Sequence, residues 1–233
     1  MTTNSASSQQ SENYDAVIFD MDGVIVDSEP LWRAAEAQAF QSYGVPITED
    51  MAYQTTGLRI DEVVSYWQQR FTFDTPSQVL QDAIMDRVIT QIEQTAKPMA
   101  GVLPLIERLS AGGYPLAICS SSPMRLIDTV VQKFQIKDKF QALISAEHLA
   151  LGKPHPQVYL DGADALNVVA TRCIAIEDSL NGVIAAKAAR MTTFAVPEPS
   201  QASLVQFAIA DAKFSSLVEL NQAIEEWLPR LKA

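Results

Sequence analysis

The sequence predicts an α/β protein: a Rossmann-like, doubly wound parallel sheet with an inserted all-helical cap domain. Three observations carry this. From Tyr14 onward, short apolar runs alternate with longer helical patterns, the signature of βα units. The runs are continuously apolar rather than alternating, which suits strands covered by helices on both faces. Residues 30–97 then break the alternation with helical patterns alone.

The first strand is AVIF at 16–19. After it come PLWRAAEAQAFQSYG, closed by Gly44, then RIDEVVSYWQQR, then a long helical segment opening at Thr75-Pro76. This insertion is entered near Ser28 to Pro30 and left near Lys97 to Gly101, where Pro98 and Gly101 make a plausible hinge. The expected division is therefore a core of 14–29 and 98–233, a cap of 30–97 and a disordered tail of 1–13. The remaining strands are PLAIC (115–119), QALIS (141–145), CIAI (173–176) and TTFAV (192–196). Helices fall at 104–111, stopped by Gly112-Gly113; at 123–134, opened by Ser122-Pro123; and at 180–189, capped by Ser179.

Composition narrows the function classes. The 233 residues are 48% apolar and 19% charged, an ordinary globular balance. With 28 acids against 17 bases the net charge is −11, so nucleic acid and anionic membranes are poor partners. No run reaches the roughly 18 apolar residues of a membrane span, and the opening MTTNSASSQQSEN lacks the basic and apolar segments of a signal peptide. A cytoplasmic monomer is the expectation. Cys119 and Cys173 each lie in an apolar strand-like run and read as buried, reduced thiols.

In an open parallel sheet, ligands bind at the carboxyl ends of the strands. Strand one ends in Asp20-Met21-Asp22-Gly23, PLAIC in Ser120-Ser121-Ser122, and CIAI in Glu177-Asp178. An Asp after a strand is often only a turn former, and Asp-Gly is a common turn. The coincidence of three polar strand ends at one rim is what argues for a site. Carboxylates crowded there repel unless a cation sits among them, and hard oxygen ligands without a Cys or His cluster favour magnesium over zinc. Lys153, between Gly152 and Pro154 and just before a helix start, is placed to hold an anion. His148 and His155 have no partner suggesting a triad, while Trp32, Val63, Val64, Tyr66 and Trp67 sit at helical spacing and read as core packing.

The segments Phe19-Asp20-Met21-Asp22-Gly23-Val24, Cys119-Ser120-Ser121-Ser122, Gly152-Lys153-Pro154 and Glu177-Asp178-Ser179 resemble, in order and spacing, the four motifs of the haloacid dehalogenase-like hydrolases. The insertion resembles that family's small helical cap. Within the family, DMDGVIVDSEPLW, TTGLRIDEVV, KPHPQVYL and EDSLNGVIAAKAARM are most similar to bacterial phosphatases of hexitol phosphates and 2-deoxyglucose 6-phosphate. The resemblance implies a magnesium-dependent phosphatase acting through an aspartyl phosphate. Asp20 is then the nucleophile and Asp22 the general acid. Asp178 completes a magnesium site with Asp20 and the Asp22 backbone carbonyl, and Glu177 joins that site through a water or sets local charge. Ser120, the Ser121 N–H and Lys153 hold phosphate oxygens. Arg59, in the cap segment Thr56-Gly57-Leu58-Arg59, is either a substrate contact or an ordinary solvated helix residue. A β-phosphoglucomutase-like mutase shares these motifs. In that enzyme a cap histidine times the acid-base step, and the matching position here is Trp32, which favours hydrolysis. A non-catalytic phospho-acceptor module, the remaining alternative, has no reason for the helical insertion or for an acid at Asp22.

Overall fold

The first apolar run lies at the centre of the sheet. In the computed structural model, which describes residues 14–232, β1 (Ala16–Phe19) is flanked by β2 (Leu116–Ser120) and β4 (Cys173–Glu177), with β3 (Ala142–Ser145) outside β2 and β5 (Thr192–Ala195) and β6 (Ala212–Lys213) outside β4. All pairings are parallel, with Val17 opposite both Leu116 and Ile174. Every residue of β1, β2 and β4 is buried, which is why their sequences lack polar alternation. The chain moves outward from β1 to β3, then returns to the far side of β1 as β4. That reversal puts the topological switch point at the carboxyl ends of β1 and β4.

The strand reading needed two corrections. Strands β2 and β4 run one residue beyond their apolar stretches, so Ser120 and Glu177 are buried strand residues rather than loop residues. Strand β6 has only two residues, too few for any hydrophobic period to announce it, and is held by its register against Phe194 and Ala195.

The two faces of the sheet differ in bulk. One carries Phe19, Ile118, Ile176 and Phe194, packed against α5 (Val102–Ala111), α6 (Met124–Lys133) and α9 (Leu217–Ala223). The other carries Ala16, Ala117, Cys119, Cys173 and Ala175, and these small side chains let α7 (Gln157–Ala165) and α8 (Leu180–Ala188) approach closely. A Cβ on Gly162 of α7 would lie 2.3 Å from Cys119 Sγ. Both thiols are free and buried.

Between β1 and α5 the chain forms α1 (Glu29–Ser42), α2 (Glu49–Ala52), α3 (Ile60–Gln68) and α4 (Ser77–Thr95), with α1 packed along α4. Val63, Val64 and Trp67 of α3 are buried there. The strands of chain entering and leaving this helical segment lie side by side: Asp27 N–H donates to Lys97 O at 3.1 Å and Met99 N–H to Ile25 O at 3.0 Å. No described helix is long and apolar enough to cross a membrane.

Candidate active site

Asp20 directly follows β1, and its N–H donates to Ile176 O of β4, which locks the residue to the sheet rim. The chain must then turn sharply. Gly23 adopts φ +73°, and a Cβ there would sit 2.0 Å from Asp178 Oδ2, so glycine is required both for the turn and for the approach of the neighbouring carboxylate. Asp20, Glu177 and Asp178 consequently bring ligand oxygens within 4.8 Å of one another.

Lys153 is the cation of this cluster. Its Nζ donates to Asp20 Oδ1 and Glu177 Oε1, both at 2.7 Å, and to Cys119 O at 3.1 Å. The Tyr159 hydroxyl donates to the same Glu177 oxygen at 2.5 Å, while Glu177 Oε2 accepts from Ser179 N–H and Oγ at 3.3 and 3.2 Å. A Cβ on Gly182 would lie 1.8 Å from Glu177 Oε1, so the start of α8 closes against this carboxylate. Glu177 thus has all its acceptors engaged by protein donors, and its visible work is to hold the ammonium.

One ammonium faces three carboxylates. Burial, with Glu177 and Asp22 adding to it, pushes the Asp20 carboxyl up to about 8 against the opposing pull of Lys153. Burial and the nearby Asp20 and Glu177 likewise raise Asp178. On the opposite wall of the cleft, burial lifts Glu29 and Glu36 to about 7. All four groups hold protons in the folded state that the unfolded chain releases near pH 4. Between pH 5 and 8 the unfolded state therefore binds fewer protons, and stability falls as pH rises. Thermal melts of protein stripped of divalent ions should show Tm declining across that window. A flat or rising trace would contradict the crowded-carboxylate account.

Asp22 is held differently. Its Oδ1 accepts from Ser28 Oγ at 2.6 Å and from the Trp32 indole N–H at 2.9 Å; its Oδ2 accepts from Ser122 Oγ at 2.7 Å and Ser120 Oγ at 3.5 Å. Trp32 is therefore more than core packing: α1 presents its indole to the second aspartate. Ser28 and Ser122 were not among the expected site residues either. The signal that could have found them is the helix spacing of 28 and 32 beside Asp22 and the run of three serines after β2. The hydroxyl of Ser121 is buried without a hydrogen-bond partner and lines the cleft.

Arg59 is in neither of its two expected places. It is buried, so it is not a solvated helix residue, and it is absent from the cleft wall. Its Nη1 donates to Leu149 O at 2.6 Å and Ala146 O at 3.2 Å, and its Nη2 to Asp61 at 2.9 Å. The side chain ties the start of α3 to the loop after β3, and Gly152 leaves room for its stem, since a Cβ there would lie 3.0 Å from Arg59 Cγ and Cδ.

Together these elements line a cleft, with Asp20, Ser120, Lys153 and Asp178 on the sheet side and α1 with residues 55–58 on the other. A hard-oxygen rim, a fixed ammonium and a second carboxylate fed by neutral donors form an arrangement suited to an oxyanion such as a phosphoryl group.

The sequence profile of the haloacid dehalogenase-like hydrolases matches residues 17–196. Over 208 residues, 88% of this chain and 94% of the relative, the sequence is 44% identical to hexitol phosphatase B of Escherichia coli. Among solved structures, CbbY of Rhodobacter sphaeroides in complex with phosphate superposes with a TM-score of 0.81 at 25% identity, covering 89% of this chain and 96% of that one. A putative β-phosphoglucomutase from Thermotoga maritima gives 0.74 at 27% identity, covering 92% of this chain and all of that one.

Proposed function

Because the chain belongs to the haloacid dehalogenase-like hydrolases, we propose that it is a phosphatase of small sugar or sugar-alcohol phosphates, hexitol phosphates among them, working through an aspartyl phosphate on Asp20. The observation that carries this reading is the separation of the two aspartates. Asp20 shares the buried ammonium of Lys153, whereas Asp22, two residues along, is held by Ser28, Trp32, Ser120 and Ser122. One carboxylate can face phosphorus while the other faces the departing oxygen.

In the first step an Asp20 oxygen forms a bond to phosphorus as the ester P–O bond breaks, and Asp22 gives its proton to the leaving alkoxide. In the second, Asp22 takes a proton from water, whose oxygen displaces Asp20 and releases inorganic phosphate. Lys153, the Ser120 hydroxyl and the Ser121 N–H hold the phosphoryl oxygens throughout. Trp32 supports hydrolysis over transfer to a second sugar, because an indole N–H orients Asp22 without offering a titratable proton.

Asp20, Asp178 and the Asp22 backbone carbonyl would hold magnesium, and the donor set fits it: the ligands are hard oxygens, and a single ammonium leaves the carboxylates short of positive charge. Bound there, the ion supplies charge neutralisation for the phosphoryl oxygens. Glu177, with both oxygens engaged, belongs to the support of Lys153 rather than to the ligand set.

The test is a phosphate-release screen over sugar and hexitol phosphates, with and without magnesium. Magnesium-dependent release from hexitol phosphates is expected; no release from any phosphoester would leave a non-catalytic phospho-acceptor. A sharper measurement concerns Asp22→Asn. Turnover of a hexitol phosphate should fall by about 10²- to 10⁴-fold, with a smaller loss for an aryl phosphate, whose leaving group needs no proton. Equal losses for both in single-turnover experiments would remove Asp22 from the acid role.

A further inference from the structure

Helix α1 turns an unusual face to the cleft. Glu29, Trp32, Arg33 and Glu36 follow one another at intervals of three, one and three residues, so they form a single stripe, and all four line the cleft. An inward stripe is normally apolar. Here Arg33 is only 8% exposed and Glu36 only 5%. Charges so buried are destabilising unless they are fully partnered.

Their partnering is incomplete. Glu36 accepts from the Trp67 indole through Oε1, while Oε2 receives only the Thr55 hydroxyl, which it shares with Oε1. Arg33 stacks over the Tyr53 ring at 4.2 Å, and its Nη1 stands 3.6 Å from Glu29 Oε2, too far for a hydrogen bond. That nitrogen has no hydrogen-bond partner. A buried donor and a spare acceptor on one wall call for a ligand that both accepts and donates.

We propose that Arg33 and Glu36, with Glu29, form the specificity surface for the substrate's tail: they bind the hydroxyls of a neutral polyhydroxylated chain and exclude a second phosphate. This rests on the phosphatase reading of the site and deepens it. The charge decides the class of ligand. Above about pH 7, where Glu29 and Glu36 ionise, two carboxylates against one guanidinium leave this wall net negative, which repels a distal phosphate, whereas a hydroxyl accepts from Arg33 and donates to Glu36 together. Position agrees with this. Trp32 touches Asp22, beside which the leaving oxygen departs, and Glu36 lies four residues on, about 6 Å along the helix. The stripe therefore meets hydroxyls remote from the ester.

The experiment compares kcat/KM at pH 8, where Glu29 and Glu36 are ionised, for a hexitol 6-phosphate, the corresponding hexitol 1,6-bisphosphate and ethyl phosphate, which has no hydroxyl. The wild-type enzyme should favour the monophosphate over the bisphosphate by about 100-fold or more. Glu36→Gln keeps the side chain's shape and an acceptor for Trp67. It should lower the hexitol-to-ethyl ratio by about tenfold, chiefly through KM, because uniform binding of the tail is lost. Arg33→Met, which keeps the stem over Tyr53, should act in the same direction and serves where the Glu36 variant does not fold. Comparable turnover of mono- and bisphosphate, or a ratio unmoved in the folded variants, overturns the proposal while leaving the phosphatase intact. Release from none of the three esters overturns the phosphatase reading and the proposal with it.

Discussion

Asp20→Asn should abolish phosphate release, by on the order of 10⁴-fold or more, while leaving the fold intact. The amide cannot form the acyl phosphate, yet it matches the carboxylate in shape, and its oxygen can still accept from Lys153, which keeps its second partner Glu177. One negative charge also leaves a group in which three carboxylates surround one ammonium. Without magnesium, the variant should therefore melt at or slightly above the wild-type temperature, most visibly near pH 8, where the native Asp20 must ionise. Circular dichroism melts beside a phosphate-release assay check both halves. Activity above about one part in a hundred would exclude the covalent role.

Lys153→Met should have the largest effect on stability of any single change in the site. The ammonium is buried and shared by Asp20 and Glu177, and the methionine replaces its stem but none of its charge. Breaking a buried pair from one side costs about 3–5 kcal/mol, because the partners remain buried and uncompensated. That is a large part of a typical folding free energy of about 5–15 kcal/mol. The sign of the pH dependence follows from the groups left behind. Acidification protonates Asp20, which burial holds up near 8, so the deficit relative to wild type should be large at and above pH 8 and shrink toward pH 5. Urea denaturation of both proteins at the two pH values measures it. A deficit independent of pH would mean that packing of the stem, not charge, was lost. Activity should fall by at least about 10³-fold in the same variant, since the fixed cation for the phosphoryl oxygens is gone.

The legible and illegible parts of the site divide by range. Asp20, Ser120, Glu177 and Asp178 could be placed together because parallel strands deliver their carboxyl ends to one edge, so finding the end of each apolar run was enough. Lys153 was legible as a cation aimed by its Gly and Pro neighbours, but its partners Asp20 and Glu177 lie 133 and 24 residues away. Arg59 resisted reading altogether. Nothing in its neighbours Leu58 and Ile60 points to a partner, and only the packing of α3 beside the loop after β3 supplies carbonyls 87 and 90 residues distant.

The sequence by itself determined the alternation of strands and helices, the helical insertion after the first strand and the residues that end each buried strand. These depend on hydrophobic period and on turn chemistry, which act over a few residues and are written in consecutive letters. The tertiary structure alone decided which side of α1 faces the cleft, and hence that Trp32 serves Asp22 and that Arg33 and Glu36 stand buried beside it. It also decided that Glu177 supports Lys153 and that a two-residue strand completes the sheet. Each of these depends on groups distant in sequence that only chain folding brings together, and the energy of a polar contact depends on burial, a property no single residue possesses before the fold surrounds it.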